Sequence, residues 1–256
     1  MTPDSRSILT RSARPPDRSF AYGALPDQVA DAWLPREQPN RTLLIFLHGG
    51  FWRDEYDRAH VAPLAEAFAD LGYTVVTPEY RRTGGAGGYP ATLDDVRAAV
   101  SAAVDQFTLD RTIVAGHSAG GHLAFWVAGE VAVTGVVGLA PVADLVATYQ
   151  LDLDAGAVHA FLGGGPAEVP ERYAAADPMQ RLPVGVPVRL VHGDADQLVP
   201  ISFSQRYADA AAAAGDRIRL EVAVGSGHFA LIDPQSAAWP AVVDAVATVA
   251  PRDRER

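Results

Sequence analysis

At 256 residues, with 48% hydrophobic and 20% charged side chains, the chain has ample apolar surface for a core and an ordinary charge density. A net charge of −10 without any basic cluster repels a phosphate backbone, which argues against nucleic-acid binding. All 21 basic residues are arginine and there is no cysteine, which removes Schiff-base and P-loop lysine chemistry, thiol catalysis, disulfides and cysteine-ligated metals.

Residues 1–16 are polar, and Arg6, Arg11 and Arg14 interrupt them, so they read as a flexible tail and not as a signal peptide. Ser19 to Tyr22 and Gln28 to Leu34 alternate and flank a Leu-Pro-Asp turn, the pattern of an edge hairpin. Thr42 to Leu47 is a continuous apolar run, expected of a strand buried on both faces. Helical spacing follows from His60 to Leu71, closed by Gly72.

From Tyr73 the elements alternate. Tyr73 to Pro78 is a strand and Ala91 to Phe107 a helix behind Pro90. The β-branched run from Thr112 to Ala115 is a strand, and a helix starts near Gly121. Gly135 to Leu139 is a further strand, and Asp144 to about Pro183 is irregular with short helical pieces. Then come strand Pro187 to Val191, helix Ser202 to Ala214, strand Ile218 to Val224 and helix Ser236 to Val249. This order implies an α/β fold: a mostly parallel sheet of about eight strands, flanked by helices, in one domain over residues 17–250. Residues 251–256 read as a C-terminal tail. The apolar stretch from Leu123 to Val142 contains Glu130 and splits into helix and strand, so no membrane span is expected and a cytoplasmic location is the default.

Ligands of open α/β sheets bind beyond the carboxyl ends of the strands, so the residues just after each strand carry the chemistry. After Leu47 stands His48-Gly-Gly-Phe-Trp52. After Ala115 stands Gly116-His-Ser118-Ala-Gly120, a G-x-S-x-G sequence between strand and helix. After Val191 comes a loop with Asp194 and Asp196, and after Val224 comes His228. Serine, aspartate and histidine in that chain order are the parts of a nucleophilic catalyst: Ser118 attacks, His228 takes its proton, and one of the two aspartates orients the imidazole.

With these residues in place, the chain resembles the α/β-hydrolase superfamily from about Ser19 onward. His48-Gly-Gly-Phe-Trp52 matches the H-G-G-x-W signature of arylformamidase-like (kynurenine formamidase-like) enzymes and neighbouring carboxylesterases. Tyr80-Arg81 with Pro90-Ala91-Thr-Leu-Asp-Asp95 is similar to a segment of hormone-sensitive-lipase-like esterases. His192-Gly-x-x-Asp196-x-x-Val-Pro200 is similar to the acid loop of many members, which implies that Asp196, not Asp194, is the triad acid. The resemblance implies an oxyanion hole from the backbone N–H groups of Gly50, Phe51 and Ala119. It makes His48 structural and Asp144 to Pro183 a short cap-like insertion (144–183). Trp52, His117, Tyr149, Phe161 and Phe229 are candidates for the substrate pocket, and Arg81 with Asp95 for a buried ion pair bracing the serine turn. The histidine spacing does not suggest a metal site, and no cofactor is implied.

The expected activity is hydrolysis of small carboxylic esters or aryl formamides through an acyl-serine. The alternatives are a strict arylformamidase and, from another class, a non-catalytic small-molecule binding protein on the same fold.

Overall fold

A computed structural model describes residues 6–249. The expected tail 251–256, and residues 1–5 of the expected N-terminal tail, lie outside the described residues. Eight strands form one sheet: β1 (Arg18–Ala21), β2 (Val29–Trp33), β3 (Thr42–Leu47), β4 (Thr74–Pro78), β5 (Arg111–His117), β6 (Gly135–Leu139), β7 (Val188–Gly193) and β8 (Ile218–Ala223). Their spatial order is β1-β2-β4-β3-β5-β6-β7-β8. The hairpin pairs antiparallel, with Arg18 opposite Ala32, and β2 is antiparallel to β4. Every other pair is parallel. The helices are α1 (Ala62–Asp70), α2 (Ala91–Gln106), α3 (Ala119–Ala128), α4 (Leu145–Gln150), α5 (Ala157–Leu162), α6 (Pro170–Ala176), α7 (Ser202–Ala213) and α8 (Trp239–Val249).

The two-residue period of a strand divides β3 between two cores. Leu43, Ile45 and Leu47 join Val96 and Val100 of α2, Leu123 of α3 and Phe203 of α7. Leu44 and Phe46 join Leu64 and Phe68 of α1 and Val242 and Val246 of α8. Each central strand therefore needs apolar residues at every position, which is why Thr42–Leu47 shows no alternation and is buried throughout. Strand β8 lies at the edge, and there the alternation returns. The helix expected from His60 begins as a 3-10 turn, Arg58–Val61, and becomes α-helical at Ala62, just ahead of Pro63. No helix among the described residues is long and apolar enough to cross a membrane.

Residues 6–16, expected to be flexible, are laid against the body instead. Arg6–Thr10 form a 3-10 turn whose Ile8 is fully buried in the core shared with Phe229 and Leu231. Arg11 reaches across to Asp233 in a two-pronged ion pair, with Nη2 donating to Oδ2 at 2.9 Å. The backbone N–H of Arg14 donates to Glu66, and its carbonyl accepts from Trp33 Nε1. One apolar anchor and one fork-shaped ion pair thus hold a segment whose composition reads as tail.

The insertion folds as α4, α5 and α6, followed by a 3-10 turn at Pro178–Gln180. Asp177 ties its two ends together: Oδ1 accepts from Leu145 N at 3.1 Å and from Met179 N at 3.2 Å. Burial pushes this carboxyl up to about 6 against the pull of those N–H donors. The folded value exceeds the unfolded one, so its contribution to stability is fully present below about pH 4 and fades as pH rises through about 6. An Asp177→Asn protein keeps the accepting oxygen without the buried charge. It is expected to melt about 2–4 °C higher than the parent at pH 7.5, with the difference closing by about pH 4 in a scanning-calorimetry series.

Candidate active site

Ser118 links β5 to α3 with φ 56° and ψ −121°, a conformation that costs a non-glycine residue about 1–3 kcal/mol. The neighbouring glycines make the turn possible. A Cβ on Gly116 would lie 2.1 Å from Gly120 O, and one on Gly120 would lie 2.1 Å from Leu47 O and 2.4 Å from His48 O. These neighbours are backbone and cannot swing aside. Gly120→Ala is therefore expected to cost about 3 kcal/mol or more, read as a fall in Tm of about 6–12 °C for a domain of this size. The turn is fastened by Ser118 N donating to Leu139 O at 2.9 Å and by Ser118 O accepting from Gly121, His122 and Val142 N–H groups.

Ala119 opens α3, so its N–H has no intrahelical acceptor and carries the positive end of the helix dipole. The loop after β3 runs beside the serine: a Cβ on Gly49 would lie 3.1 Å from Ser118 Cβ. Gly50 has φ 115° and Phe51 φ 49°, and Tyr56 closes over Gly50 so tightly that a Cβ would lie 2.5 Å from Tyr56 Cβ and 2.7 Å from its ring. His48 braces this loop, with Nδ1 2.8 Å from Gly49 O and Nε2 2.8 Å from Glu79 Oε1. Glu79 is buried, which by itself raises its carboxyl. His48, Arg82 and the Arg58 N–H outweigh that and bring it down to about 2. On the other side of the loop, Thr83 N and Oγ1 both donate to Trp52 O, at 2.8 and 2.9 Å. The Arg81–Asp95 pair forms, at 2.7 Å through both Nε and Nη2. It fixes the segment that carries Thr83, whose two bonds to Trp52 O hold the Gly50–Trp52 loop.

His228 stands in a 3-10 turn, His228–Ile232, beyond β8, and its Nδ1 is 2.6 Å from Asp196 Oδ2. Asp196 Oδ1 accepts from Leu198 N at 2.8 Å and Val199 N at 2.9 Å. Burial raises this carboxyl, but bonds from His192, His228 and Val199 hold it well below the usual carboxylate range. Asp194 is exposed and accepts from Gly225 N at 2.6 Å, a turn-capping position. His228 and Ser118 line the same cavity. His192 was given no role from sequence. It is fully buried, takes a bond from Ser204 Oγ at 2.7 Å on Nδ1, and donates from Nε2 to Val199 O at 2.9 Å, so it shapes the acid loop. Its place at the head of H-G-x-x-D was the signal that could have found it.

The cavity is open to solvent and joins Ser118, Gly49, Gly50, Phe51, His117, His228 and Phe229. Tyr56, His60, Leu198, Asp154 and, from the N-terminal turn, Arg6 and Leu9 complete its wall. Sequence reasoning missed these six, because none comes directly after a strand. Of the residues expected in a substrate pocket, His117 and Phe229 line this cavity. His117 Nε2 is 3.1 Å from the His228 carbonyl, and burial, with the charge of His228 behind it, holds the His117 imidazole well below its ordinary value.

Trp52, Phe161 and Tyr149 do not line the cavity. The Trp52 indole stacks on Phe161 at 4.7 Å and donates to His122 Nδ1 at 3.2 Å, and His122 Nε2 donates to Ala176 O. Both aromatic rings are therefore core, joining the loop after β3 to the insertion. Tyr149 lies on the surface of the insertion near His159.

The mostly parallel eight-stranded sheet, with a strained serine, a buried aspartate–histidine pair and a glycine-flexed loop at its strand ends, has the α/β-hydrolase fold. A family model described as BD-FAE matches residues 30–131, which hold the Gly50–Trp52 loop and the serine turn. The chain is 29% identical to a monoacylglycerol lipase of Mycolicibacterium smegmatis, over 81% of this chain and 88% of that protein. Among solved structures it is similar to a bifunctional GH43-CE protein of Bacteroides eggerthii, with a TM-score of 0.75 and 22% identity over 91% of this chain. It spans only 38% of that longer protein. It also resembles phosphonate-inhibited esterase B of Lactobacillus rhamnosis, with a TM-score of 0.72 and 22% identity, over 91% of this chain and 84% of the other.

Proposed function

We propose that this protein is a serine hydrolase that cleaves small carboxylic esters, with aryl formamides within its range. The observation that carries the reading is the 2.6 Å contact between His228 Nδ1 and Asp196 Oδ2 beside a cavity that also holds Ser118. Ser118 Oγ attacks the substrate carbonyl carbon as its proton passes to His228 Nε2. The C–Oγ bond forms, and the carbonyl oxygen takes up the displaced electron pair beside the N–H groups of Gly50, Phe51 and Ala119. The intermediate collapses, the bond to the leaving oxygen or nitrogen breaks, and the imidazolium returns the proton to that atom. Water, deprotonated by the same Nε2, then attacks the acyl-serine and releases the acid and free Ser118. Asp196, held ionised by its donors, keeps Nδ1 protonated and stabilises the imidazolium between steps.

The monoacylglycerol lipase and esterase likenesses support ester substrates. A cavity with Phe51, Tyr56 and Phe229 in its wall suits short acyl groups. A panel running from acetyl to octanoyl p-nitrophenyl esters, together with N-formylkynurenine, tests the reading. Turnover is expected to be greatest among the short esters. Hydrolysis of the formamide with no ester cleaved would replace this reading with a strict arylformamidase, and saturable binding without turnover would replace it with a binding protein.

A further inference from the structure

The wall that the sequence assigned to the insertion is supplied in good part by the N-terminal turn. Arg6 and Leu9 line the cavity with Ser118 and His228, whereas the insertion contributes Asp154. The Arg6 guanidinium lies 5.5 Å from the centre of the Phe229 ring, and that ring lies 5.3 Å, edge to face, from His228. The turn is not a loose flap: Ile8 is fully buried, and the Arg11–Asp233 pair comes three residues later.

The charges around the cavity differ in what already holds them. Asp154 accepts from Arg53 Nε at 2.6 Å and its carbonyl from Arg53 Nη2 at 2.6 Å, so its charge is matched. His117 is buried and neutral, and its Nε2 is committed to the His228 carbonyl. Arg6 is exposed and, among the described residues, forms no ion pair; its neighbour is the face of Phe229. In a chain of net charge −10, an arginine set over an aromatic ring at this cavity, with no carboxylate partner among the described residues, is a cation open to an anionic ligand. A guanidinium carries a rigid fork of donors that a carboxylate meets with two parallel bonds. The buried Ile8, two residues on, holds the backbone of this turn beside the cavity.

We infer that Arg6 is a substrate-binding residue that selects esters bearing a carboxylate away from the scissile bond, and that the N-terminal turn is the specificity wall of the site. The inference rests on the hydrolase reading above. It deepens that reading by naming the charge class of the substrate.

The test compares matched substrates on parent, Arg6→Gln, Arg6→Lys and Arg6→Glu proteins. Ethyl hydrogen adipate against ethyl hexanoate places the carboxylate on the acyl side; 4-acetoxybenzoate against p-tolyl acetate places it on the alcohol side. Arg6→Gln is expected to lower kcat/KM on the anionic member of one pair about tenfold more than on its neutral partner, mainly through KM. Arg6→Lys retains part of the preference, Arg6→Glu loses more than Arg6→Gln, and raising NaCl to about 0.5 M narrows the gap. Equal losses on anionic and neutral esters, or none on either, would overturn the inference while leaving the hydrolase reading intact. A parent protein that cleaves none of the four esters and does not react with a fluorophosphonate would remove both.

Discussion

Ser118→Ala is expected to lower kcat/KM for a short ester by about four to six orders of magnitude, down to what the oxyanion donors and binding alone supply. The loss is that large because the alanine removes the only atom that bonds to the acyl group, and water must then attack without covalent help. Stability is not expected to fall with it. The hydroxyl contributes no cap to α3, and the turn is held by backbone bonds from Ser118 N to Leu139 O and from three N–H groups to Ser118 O, all of which alanine keeps. Initial rates together with a melting curve separate the two effects. A variant that loses activity because it has unfolded would show in the second measurement.

Asp196→Asn is expected to lower kcat by about three to four orders of magnitude with the fold intact, as loss of the correct tautomer does in serine proteases. The geometry gives the reason. An asparagine can keep Oδ1 as the acceptor for the Leu198 and Val199 N–H groups, 2.8 and 2.9 Å away. That leaves its NH2 facing His228 Nδ1, where the carboxylate stood at 2.6 Å. Nδ1 must then accept and Nε2 carries the proton, so the imidazole has no lone pair for the Ser118 hydroxyl. Steady-state kinetics on one ester check this. A fall of less than about tenfold would show that Asp196 does not set the tautomer.

The fold was legible because the central strands lie between two cores. Thr42–Leu47 must be apolar throughout, and that run announces a buried parallel strand. The candidate site was legible for a related reason. An open parallel sheet binds its ligands at its strand ends, so the candidates Ser118, Asp196 and His228 were sought among the residues just past each apolar run. Features that depend on distant partners did not show. Ile8 is one apolar residue in a polar segment, too little for any periodicity, and Arg11 finds Asp233 across 222 positions. The segment therefore read as tail although it forms a wall of the cavity. Trp52 and Phe161 were expected in the substrate pocket, but residue type does not say which way a ring points. Their stack on each other, and the Trp52 bond to His122, turn both inward. Conversely, the Arg81–Asp95 pair was visible from the sequence, while its proximity to Thr83 and the Gly50–Trp52 loop needed the packed structure.

The measurement that bears most directly on the central claim is the mass of the protein after treatment with a fluorophosphonate, with peptide mapping of the product. The account predicts one covalent adduct per chain, located on Ser118, formed with parallel loss of ester hydrolysis and absent in Ser118→Ala. Ester hydrolysis that survives complete labelling, or an adduct on a different residue in the active protein, would contradict it.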